Sequence, residues 1–272
     1  MTAAGRRPRA SLGMYDWPWV AAANDALWAG VRDRLRRAGV DAPDALDRGD
    51  PGDAFSDPAL IFGQACGYPY MTRLRGAVAL LATPIYDLPG CEGPMHCSFI
   101  VVREGDPRGG LVAFRGARAA INAWDSNSGM NLFRASVAPL ADGRPFFASI
   151  ALSGAHIASM AMIRAGEADV AAVDCVTFGL AARHKPEIVA GLRILARTPS
   201  SPSLPFIVSA DLERAYPGVV RAALLDAFAD PNLAGARDAL ALGGAVAASD
   251  EDYARVLTIE AEARAMGYGT LA

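Results

Sequence analysis

Short apolar segments alternate with helical patterns along almost the whole chain, and this alternation constrains the fold more than any other feature. The segments SFIVVR (98–103), DVAAV (169–173) and LPFIVS (204–209) have the length and the β-branched content of buried strands. Between residues 20 and 35, apolar side chains keep helical spacing instead. This alternation predicts an α/β protein, with mostly parallel sheets and helices on both faces.

Two of these strands indicate a division into two lobes. SFIVVR and LPFIVS each follow a loop rather than a helix, and they bracket a middle block of about 100 residues. Two crossover strands between two α/β lobes would produce this arrangement. We therefore predict a first lobe from residues 10–97 plus 204–272, and a second lobe from residues 98–203.

Composition and charge narrow the classes of function. The chain is 52% hydrophobic and 20% charged, which is typical of a folded protein. The net charge of −3 and the absence of a basic cluster beyond the first nine residues argue against a nucleic-acid partner. The sequence contains no run of 18 apolar residues, so no membrane span is predicted. The first residues do not form a signal peptide, so the sequence as written predicts a cytoplasmic protein, or a periplasmic one if a leader was trimmed or lies upstream.

The motifs of common catalytic and metal sites are missing from the sequence. No GxSxG, P-loop, GxGxxG or HExxH motif occurs, so we predict no enzymatic activity, no catalytic residue and no cofactor. The four cysteines contain no CxxC spacing, so no metal site is predicted either. We expect free thiols, with a Cys66–Cys91 or Cys91–Cys97 disulfide as the alternative for an exported protein.

The run AAINAWDSNSGMNLF (119–133) combines a predicted strand, a polar turn and a helix that opens at Gly129. The turn consists of Asp125, Ser126, Asn127 and Ser128. Free N–H groups at a helix N-terminus, together with the serine hydroxyls, would form a cradle for an anion. Alternatively, Asp125, Ser126 or Ser128 simply caps the helix. Both interpretations fit the local sequence.

Polar or aromatic side chains follow four other predicted strands, at the edge where open α/β sheets bind ligands. Alternative roles are a ring at the edge of the core for the tyrosines, a helix cap for the serine and the aspartate, and a surface or cap position for the histidine. If they share one cleft, the donors suit an oxyanion, and the acidic group suits an amine or a ligand hydroxyl. These residues are Tyr15, Tyr86, Ser153 with His156, and Asp174.

Three motifs carry a resemblance to a known family. They are QACGYPY…TPIYDLPGCEGP, DSNSGMN and SGAHIASMAMIRAGEADVAAVDCVTF. From Met14 to about Ser209 the chain resembles the substrate-binding proteins of phosphate, phosphite and phosphonate ABC transporters. The resemblance implies a type 2 periplasmic-binding-protein fold, in which two α/β lobes are joined by two crossover strands and the ligand lies between the lobes.

The resemblance also implies a set of ligand contacts. The family's Ser-Thr-Ser-Gly cradle falls on residues 126–129, where Asn127 replaces the threonine. The family's histidine falls on His156 and its strand-end aspartate on Asp174. Aromatic residues of the other lobe fall on Tyr15 and Tyr86. The strand-end positions and the resemblance together predict a set of ligand-binding residues. They are Tyr15, Gln64, Tyr68, Tyr86, Asp125, Ser126, Asn127, Ser128, Gly129, Ser153, His156 and Asp174.

The resulting hypothesis is a non-enzymatic solute-binding protein that holds a small anionic ligand of the phosphate, phosphite or phosphonate type in the inter-lobe cleft. Its implied partner is an ABC-transporter permease. One alternative is a cytoplasmic enzyme that reuses the fold on a small phosphorylated or thiamine-like metabolite, with His156 or Asp174 as general acid or base. Another is a cytoplasmic ligand sensor that reports to a partner protein.

Overall fold

The computed structural model describes residues 7–272, and the chain divides into two compact units. The first consists of the described residues up to Asp87 together with Ser203–Asp252, and the second of Leu88–Pro202 together with Tyr253–Ala272. The predicted first lobe includes residues 88–97 and 253–272, which belong to the second unit, and the predicted second lobe includes Ser203, which belongs to the first.

The strands and helices alternate as the sequence predicts. In chain order the strands are β1 (Arg9–Ser11), β2 (Leu60–Gln64), β3 (Val78–Tyr86), β4 (Cys91–Glu92), β5 (Met95–His96), β6 (Ser98–Arg103), β7 (Arg118–Ile121), β8 (Ser149–Leu152), β9 (Val170–Asp174), β10 (Leu192–Arg197), β11 (Ser201–Pro202), β12 (Phe206–Ser209) and β13 (Leu242–Ala247). The α-helices are α1 (Ala21–Arg37), α2 (Pro51–Phe55), α3 (Gly67–Pro69), α4 (Leu132–Ala141), α5 (His156–Ala165), α6 (Cys175–His184), α7 (Pro186–Val189), α8 (Ala210–Ala215), α9 (Val219–Ala229), α10 (Ala234–Ala239) and α11 (Asp250–Ala265). Short π-helices cover Tyr70–Leu74 and Asn127–Asn131, and 3₁₀ turns cover Leu111–Phe114 and Pro231–Leu233.

The first unit is built on a mixed sheet in the order β1-β2-β12-β3-β13. β1 and β2 are parallel, whereas β12 pairs antiparallel with both β2 and β3. The core beside it is aromatic, since Phe62 stacks on Trp28 at 5.8 Å and on Phe206 at 5.4 Å between ring centroids. The pairing of β12 across the centre of the sheet brings residues from two distant parts of the chain into one core.

The second unit contains a sheet in the order β10-β6-β9-β7-β8 and a small sheet in the order β11-β5-β4. β9, β7 and β8 are parallel, and β6 runs antiparallel between β10 and β9. Because parallel strands end at the same edge of a sheet, the residues that follow β7, β8 and β9 come together there.

The predicted α/β class is confirmed, and so are several individual elements. SFIVVR is β6, DVAAV forms most of β9, and the last four residues of LPFIVS form β12. The sheets are mixed, because β6 and β12 each run antiparallel to both of their neighbours.

One segment that we predicted as a helix is a strand. Ser56-Asp57-Pro58 has the composition of a helix start and predicts a helix to about Cys66, but Leu60–Gln64 is fully buried and forms β2. It pairs with β1 on one side and with β12 on the other, so the requirement to bond both edges outweighs the local helix signal. The sequence predicts a mainly helical region over residues 211–266, but within it LGGAVA at 242–247 forms the strand β13 on the edge beside β3.

The predictions for the N-terminal region need two corrections. The sequence predicts a first strand over residues 10–15 and a helix capped by Asp16, whereas β1 covers only Arg9–Ser11 and α1 begins at Ala21. Asp16 instead accepts a hydrogen bond from Asn24 and pairs with Arg48. Residues 1–6 of the predicted tail lie outside the described residues, whereas Arg9 belongs to β1. Within residues 7–272, no helix is both long enough and apolar enough to cross a bilayer.

Candidate functional site

The candidate site of the second unit lies where its three parallel strands end. β7, β8 and β9 end at Ile121, Leu152 and Asp174, and each is followed closely by a helix. The first turn of each helix presents N–H groups and a partial positive charge to the same edge of the sheet. This edge is therefore electrostatically suited to an anion.

Ser126 caps the helix that follows β7. Its Oγ accepts a hydrogen bond from the backbone N–H of Gly129 at 2.9 Å. The first turn is a π-helix over Asn127–Asn131, which continues directly into α4. Because Ser126 Oγ is an acceptor in this bond, its own O–H is left to donate to a second group. The two interpretations of the turn, cap and cradle, are thus compatible in one side chain.

Ser128 connects this turn to the next helix. Its Oγ lies 2.9 Å from Nε2 of His156, the first residue of α5, and 3.5 Å from Oγ of Ser126. Its backbone carbonyl accepts a hydrogen bond from the Ser98 hydroxyl on β6 at 2.9 Å. If His156 Nε2 carries the proton and donates to Ser128 Oγ, the Ser128 hydroxyl is free to donate to a ligand. The two serine side chains are buried, so their positions are fixed by packing as well as by hydrogen bonds.

Asn122 belongs to the same cluster and was missed in the sequence. A Cβ on Gly129 would lie 1.8 Å from Asn122 Oδ1 and 3.1 Å from His156 Cε1, so only glycine leaves room for both neighbours. Oδ1 of Asn122 is buried and has no hydrogen-bond partner among the described residues. The sequence predicts a strand that continues to Trp124, which would place Asn122 inside the strand, whereas β7 ends at Ile121. A polar side chain within an apolar strand was the available signal.

His156 is held in its neutral form. Burial lowers its pKa to about 4, while Asp174 opposes that shift and His96 adds to it. Its second ring nitrogen, Nδ1, is buried without a hydrogen bond of regular geometry. A neutral imidazole can act as a donor through one nitrogen only, so its role here depends on the tautomer.

Asp174 ends β9 and is almost fully buried. Its Oδ1 accepts from the N–H of Val176 at 2.9 Å, and its Oδ2 accepts from the hydroxyl of Thr177 at 3.3 Å. Asp174 is therefore the cap of α6, as the alternative interpretation predicted. It also lies close enough to His156 to influence that pKa, and it pairs with Ser98 across the sheet.

Asn127 faces a different environment from the two serines beside it. Its Nδ2 donates to Ser201 Oγ at 2.8 Å, and its Oδ1 accepts from Asn131 at 3.0 Å. Asn131 Oδ1 in turn accepts from the buried guanidinium of Arg134 at 2.6 Å. Asn127 is the residue that departs from the family pattern. Through these hydrogen bonds it connects the cradle to β11 and to the buried guanidinium of Arg134.

Two predicted residues of the second unit are placed differently from the cluster. Asp125 is exposed, one residue before the cap. Ser153 does not cap α5, because that helix begins at His156 after an extended Ala155. The Ser153 hydroxyl instead donates to carbonyl oxygens at Ile121 and Ala155. The same hydroxyl lies 2.7 Å from the hydroxyl of Ser159 in the first turn of α5, so Ser153 connects the end of β7 to the start of that helix.

The predicted residues of the first unit form a separate group. The rings of Tyr15 and Tyr86 meet edge to face at 5.8 Å between centroids, and Gln64 Nε2 donates to Tyr86 Oη at 3.0 Å. Gln64 also donates to the carbonyl of Leu204 at 3.0 Å. Tyr68 is half-buried in α3. The structure therefore brings together Tyr15, Gln64 and Tyr86.

The second-unit cluster offers neutral donors to a ligand. They are the hydroxyls of Ser126 and Ser128, the imidazole of His156 and the backbone N–H groups of the helix starts. Such groups bind an oxyanion without a compensating positive side chain, as helix N-termini commonly do. Among residues 7–272, no group of three or more His, Cys, Asp and Glu side chains is placed to hold a metal ion.

A family model of the periplasmic substrate-binding proteins of phosphonate ABC transporters matches residues 60–253. This range covers most of the chain and includes every candidate residue except Tyr15. A search of curated proteins found no match.

Solved structures show the same fold at low sequence identity. PhnD1 from Prochlorococcus marinus, in complex with methylphosphonate, is 13% identical with a TM-score of 0.75, covering 94% of this chain and 97% of that one. A binding-protein component of a phosphonate ABC transporter from Pseudomonas aeruginosa is 14% identical with a TM-score of 0.71, covering 96% and 88%. A Xanthomonas citri protein bound to ATP is 18% identical with a TM-score of 0.67, covering 90% and 94%.

Proposed function

The chain belongs to the family of periplasmic substrate-binding proteins of phosphonate ABC transporters, and from this premise we propose that it binds a small phosphorus oxyanion at the second-unit cluster. The ligand class comprises phosphate, phosphite and short alkyl- or aminophosphonates. The observation that carries the proposal is the contact between Ser128 and His156 beside the cap formed by Ser126. It aligns donors from two helix starts at one edge of the sheet.

Each part of the cluster has a separate task in this proposal. The hydroxyls of Ser126 and Ser128 donate hydrogen bonds to oxygen atoms of the ligand, and the first turn of the helix adds backbone N–H donors. His156 supports the Ser128 hydroxyl by donating to its oxygen. The Asp174 carboxylate accepts a hydrogen bond from the ligand, either from a P–OH group or from the ammonium group of an aminophosphonate. Tyr15, Gln64, Tyr68 and Tyr86 remain predicted ligand contacts from the family resemblance.

The magnitudes are adequate for physiological binding. A hydrogen bond to a charged group contributes about 1.5–3 kcal/mol, and micromolar affinity requires about 8 kcal/mol net. Four or five such bonds contribute about 6–15 kcal/mol before the cost of association, so bonds in the upper part of this range bring the cluster to micromolar affinity.

Isothermal titration calorimetry tests the proposal. We expect the protein to bind phosphate, phosphite, methylphosphonate or 2-aminoethylphosphonate, and Ser128→Ala to lower the affinity at least tenfold. Ser136→Ala is the matched control, because Ser136 lies on the same helix and its hydroxyl donates to the carbonyl of Leu132. Its affinity should stay within twofold of the wild type. Absence of binding by all four compounds at millimolar concentration would refute the proposal.

We also propose export and delivery of the ligand to an ABC permease, since the family is periplasmic and serves such transporters. Deletion of the gene should abolish uptake of the ligand by the source cells, and the protein should fractionate outside the cytoplasm. Turnover of a bound ligand that is lost in His156→Ala would favour the enzymatic alternative instead.

A further inference from the structure

Three of the four cysteine thiols lie close together in the second unit. Sγ of Cys91 is 3.5 Å from Sγ of Cys175, and Cys97 is a second thiol neighbour of Cys175. Cys91 belongs to the hairpin formed by β4 and β5, whereas Cys175 is the first residue of α6. All four cysteines are in the thiol form. The sequence-based alternatives paired Cys91 with Cys66 or Cys97, but the sulfur contact of Cys91 is with Cys175.

Gly90 allows this close approach. Its φ of +93° is in the left-handed region, and a Cβ at this position would lie 2.8 Å from the Cβ of Cys175 and 3.0 Å from the ring of Phe99. The backbone on both sides is fixed by hydrogen bonds, since Cys97 N donates to Gly90 O and Cys175 N donates to Cys97 O, both at 3.1 Å. The hairpin is therefore held directly against the start of α6.

We propose that Cys91 and Cys175 are a disulfide-forming pair that closes when the protein meets a disulfide oxidant. With oxidised glutathione, the Cys91 thiolate attacks one sulfur of the oxidant and releases a glutathione thiolate. The sulfur of Cys175 then attacks the Cys91 sulfur of the mixed disulfide, loses its proton and releases the second glutathione thiolate. The protein is oxidised by two electrons, and one oxidised glutathione is reduced to two thiols.

Exposure determines the order of these steps. Cys91 is partly exposed, whereas Cys97 and Cys175 are buried, so a dissolved oxidant meets Cys91 first. A hydrogen bond with a neighbouring thiol, together with burial, raises the pKa of the Cys97 thiol and also that of the Cys175 thiol, which makes both of them poor initiators. Cys175 is then the nearest sulfur for the second step.

The pair lies 84 residues apart in the chain, so the bond would restrict the unfolded state strongly. In the folded state it would connect the hairpin to the helix that Asp174 caps. We expect the thermal midpoint of the oxidised protein to rise by about 5–10 °C, and reductant to reverse the rise.

The test is oxidation of the folded protein by a glutathione redox buffer, followed by thiol counting, thermal unfolding and mass spectrometry without reduction. Trypsin alone leaves Cys91 and Cys97 in one peptide, 76–103, so a second cleavage after Glu92 is needed to separate them. We expect two of the four thiols to disappear and peptide 76–92 to be linked to the peptide containing Cys175. Cys97→Ser and Cys66→Ser should behave like the wild type.

Cys91→Ser should abolish both the linked peptide and the rise in thermal midpoint. It is preferable to a substitution of the buried Cys175, because a partly exposed position tolerates serine more readily. Four free thiols after oxidation, a mixed disulfide with glutathione at Cys91 alone, or a Cys97–Cys175 link would each overturn the proposal. A link that persists in Cys91→Ser would do the same.

Discussion

The two candidate regions differ in what fixes their side chains. In the second unit, Ser126, Ser128 and His156 are positioned by hydrogen bonds, two of them 2.9 Å long. In the first unit, Tyr15 and Tyr86 are positioned mainly by the packing of their rings. A hydrogen bond fixes the direction of a donor, whereas ring packing fixes the shape of a surface.

Under the proposed function, this difference predicts two kinds of recognition. Directed donors suit a group of constant charge and geometry, such as the oxygen atoms of a phosphorus oxyanion. An aromatic surface tolerates groups of varied size and polarity. We therefore expect changes in the second unit to affect every oxyanion ligand, and changes in the first unit to affect mainly the preference among ligands.

The largest effect is expected from Gly129→Ala. The new methyl group would overlap Asn122 Oδ1 and crowd His156, so the first turn of the helix must shift or Asn122 must rotate. We expect at least a 30-fold loss of oxyanion affinity by calorimetry. In urea, the free energy of unfolding should fall by about 1–3 kcal/mol, as is usual for overpacking.

Two further variants make this prediction specific. Gly105→Ala is the control, because a Cβ there has no neighbour within 4 Å and the backbone is not left-handed. The double variant Asn122→Ala with Gly129→Ala should recover part of the lost stability, since the overlapping side chain is gone. Wild-type affinity in the single variant would mean that the ligand does not use this turn.

A second substitution distinguishes a residue that supports the cradle from one that contacts the ligand. Asn127→Ala removes one partner from each of two buried hydrogen bonds, to Ser201 and from Asn131. We expect the free energy of unfolding in urea to fall by about 2 kcal/mol. The loss of oxyanion affinity should be smaller than in Ser128→Ala, because the Asn127 side chain is engaged with protein groups.

A double-mutant cycle with Ser201→Ala checks the origin of that effect. If the hydrogen bond between Asn127 and Ser201 accounts for the loss of stability, the losses in the two single variants will sum to clearly more than the loss in the double variant. An Asn127→Ala protein with normal stability and tenfold weaker binding would place this side chain in direct contact with the ligand.

The pH dependence of the free energy of unfolding should reveal the protonation of His156. Its pKa is about 4 in the folded protein, below the ordinary value of 6.5, so the unfolded chain binds the extra proton first as the pH falls. Its contribution to stability is therefore fully present above about pH 6.5 and is lost progressively down to about pH 4. The measurement is the free energy of unfolding in urea between pH 7 and pH 5, where most carboxyl groups stay ionised.

The slope over this range should flatten in His156→Gln. His184→Gln is the matched control, because His184 is the last residue of α6 and does not take part in the contact between Ser128 and His156, so the flattening should be specific to His156→Gln. An unchanged slope in His156→Gln would show that another group titrates there and that His156 is more accessible to solvent than its surroundings indicate.

The sequence was sufficient to predict the regions whose signals are local. Ser126 lies in a polar turn between a strand and a helix, and both its cap and its neighbour Ser128 were predicted from that pattern. β6 was recognisable from its β-branched run. The strand β2 was not, because its strand character comes from pairing with β1 and β12, and those partners are far away in the chain.

Asn122 and Ser201 illustrate why the rest of the site could not be predicted. Asn122 matters because Gly129 packs against it, and Ser201 because the Asn127 side chain reaches it across 74 positions of sequence. The polar character of Asn122 is visible in the local sequence, but its packing against Gly129 is not, and nothing near Ser201 indicates its contact with Asn127. The cluster of Cys91 and Cys175 has the same origin, since a turn at Gly90 brings the two sulfur atoms together.

The smallest effect is expected from Tyr86→Phe, and it tests the comparison between the two regions directly. The change removes the acceptor of the bond from Gln64 Nε2, which keeps its bond to Leu204, and it leaves the ring contact with Tyr15 intact. We expect a loss of about 1 kcal/mol in the free energy of unfolding. Calorimetry should show phosphate affinity within twofold of the wild type, with a larger change in the preference for methylphosphonate over phosphate. A fall in phosphate affinity as large as that of Ser128→Ala would mean that the aromatic region also contacts the oxyanion, and the division of roles between the two regions would then be wrong.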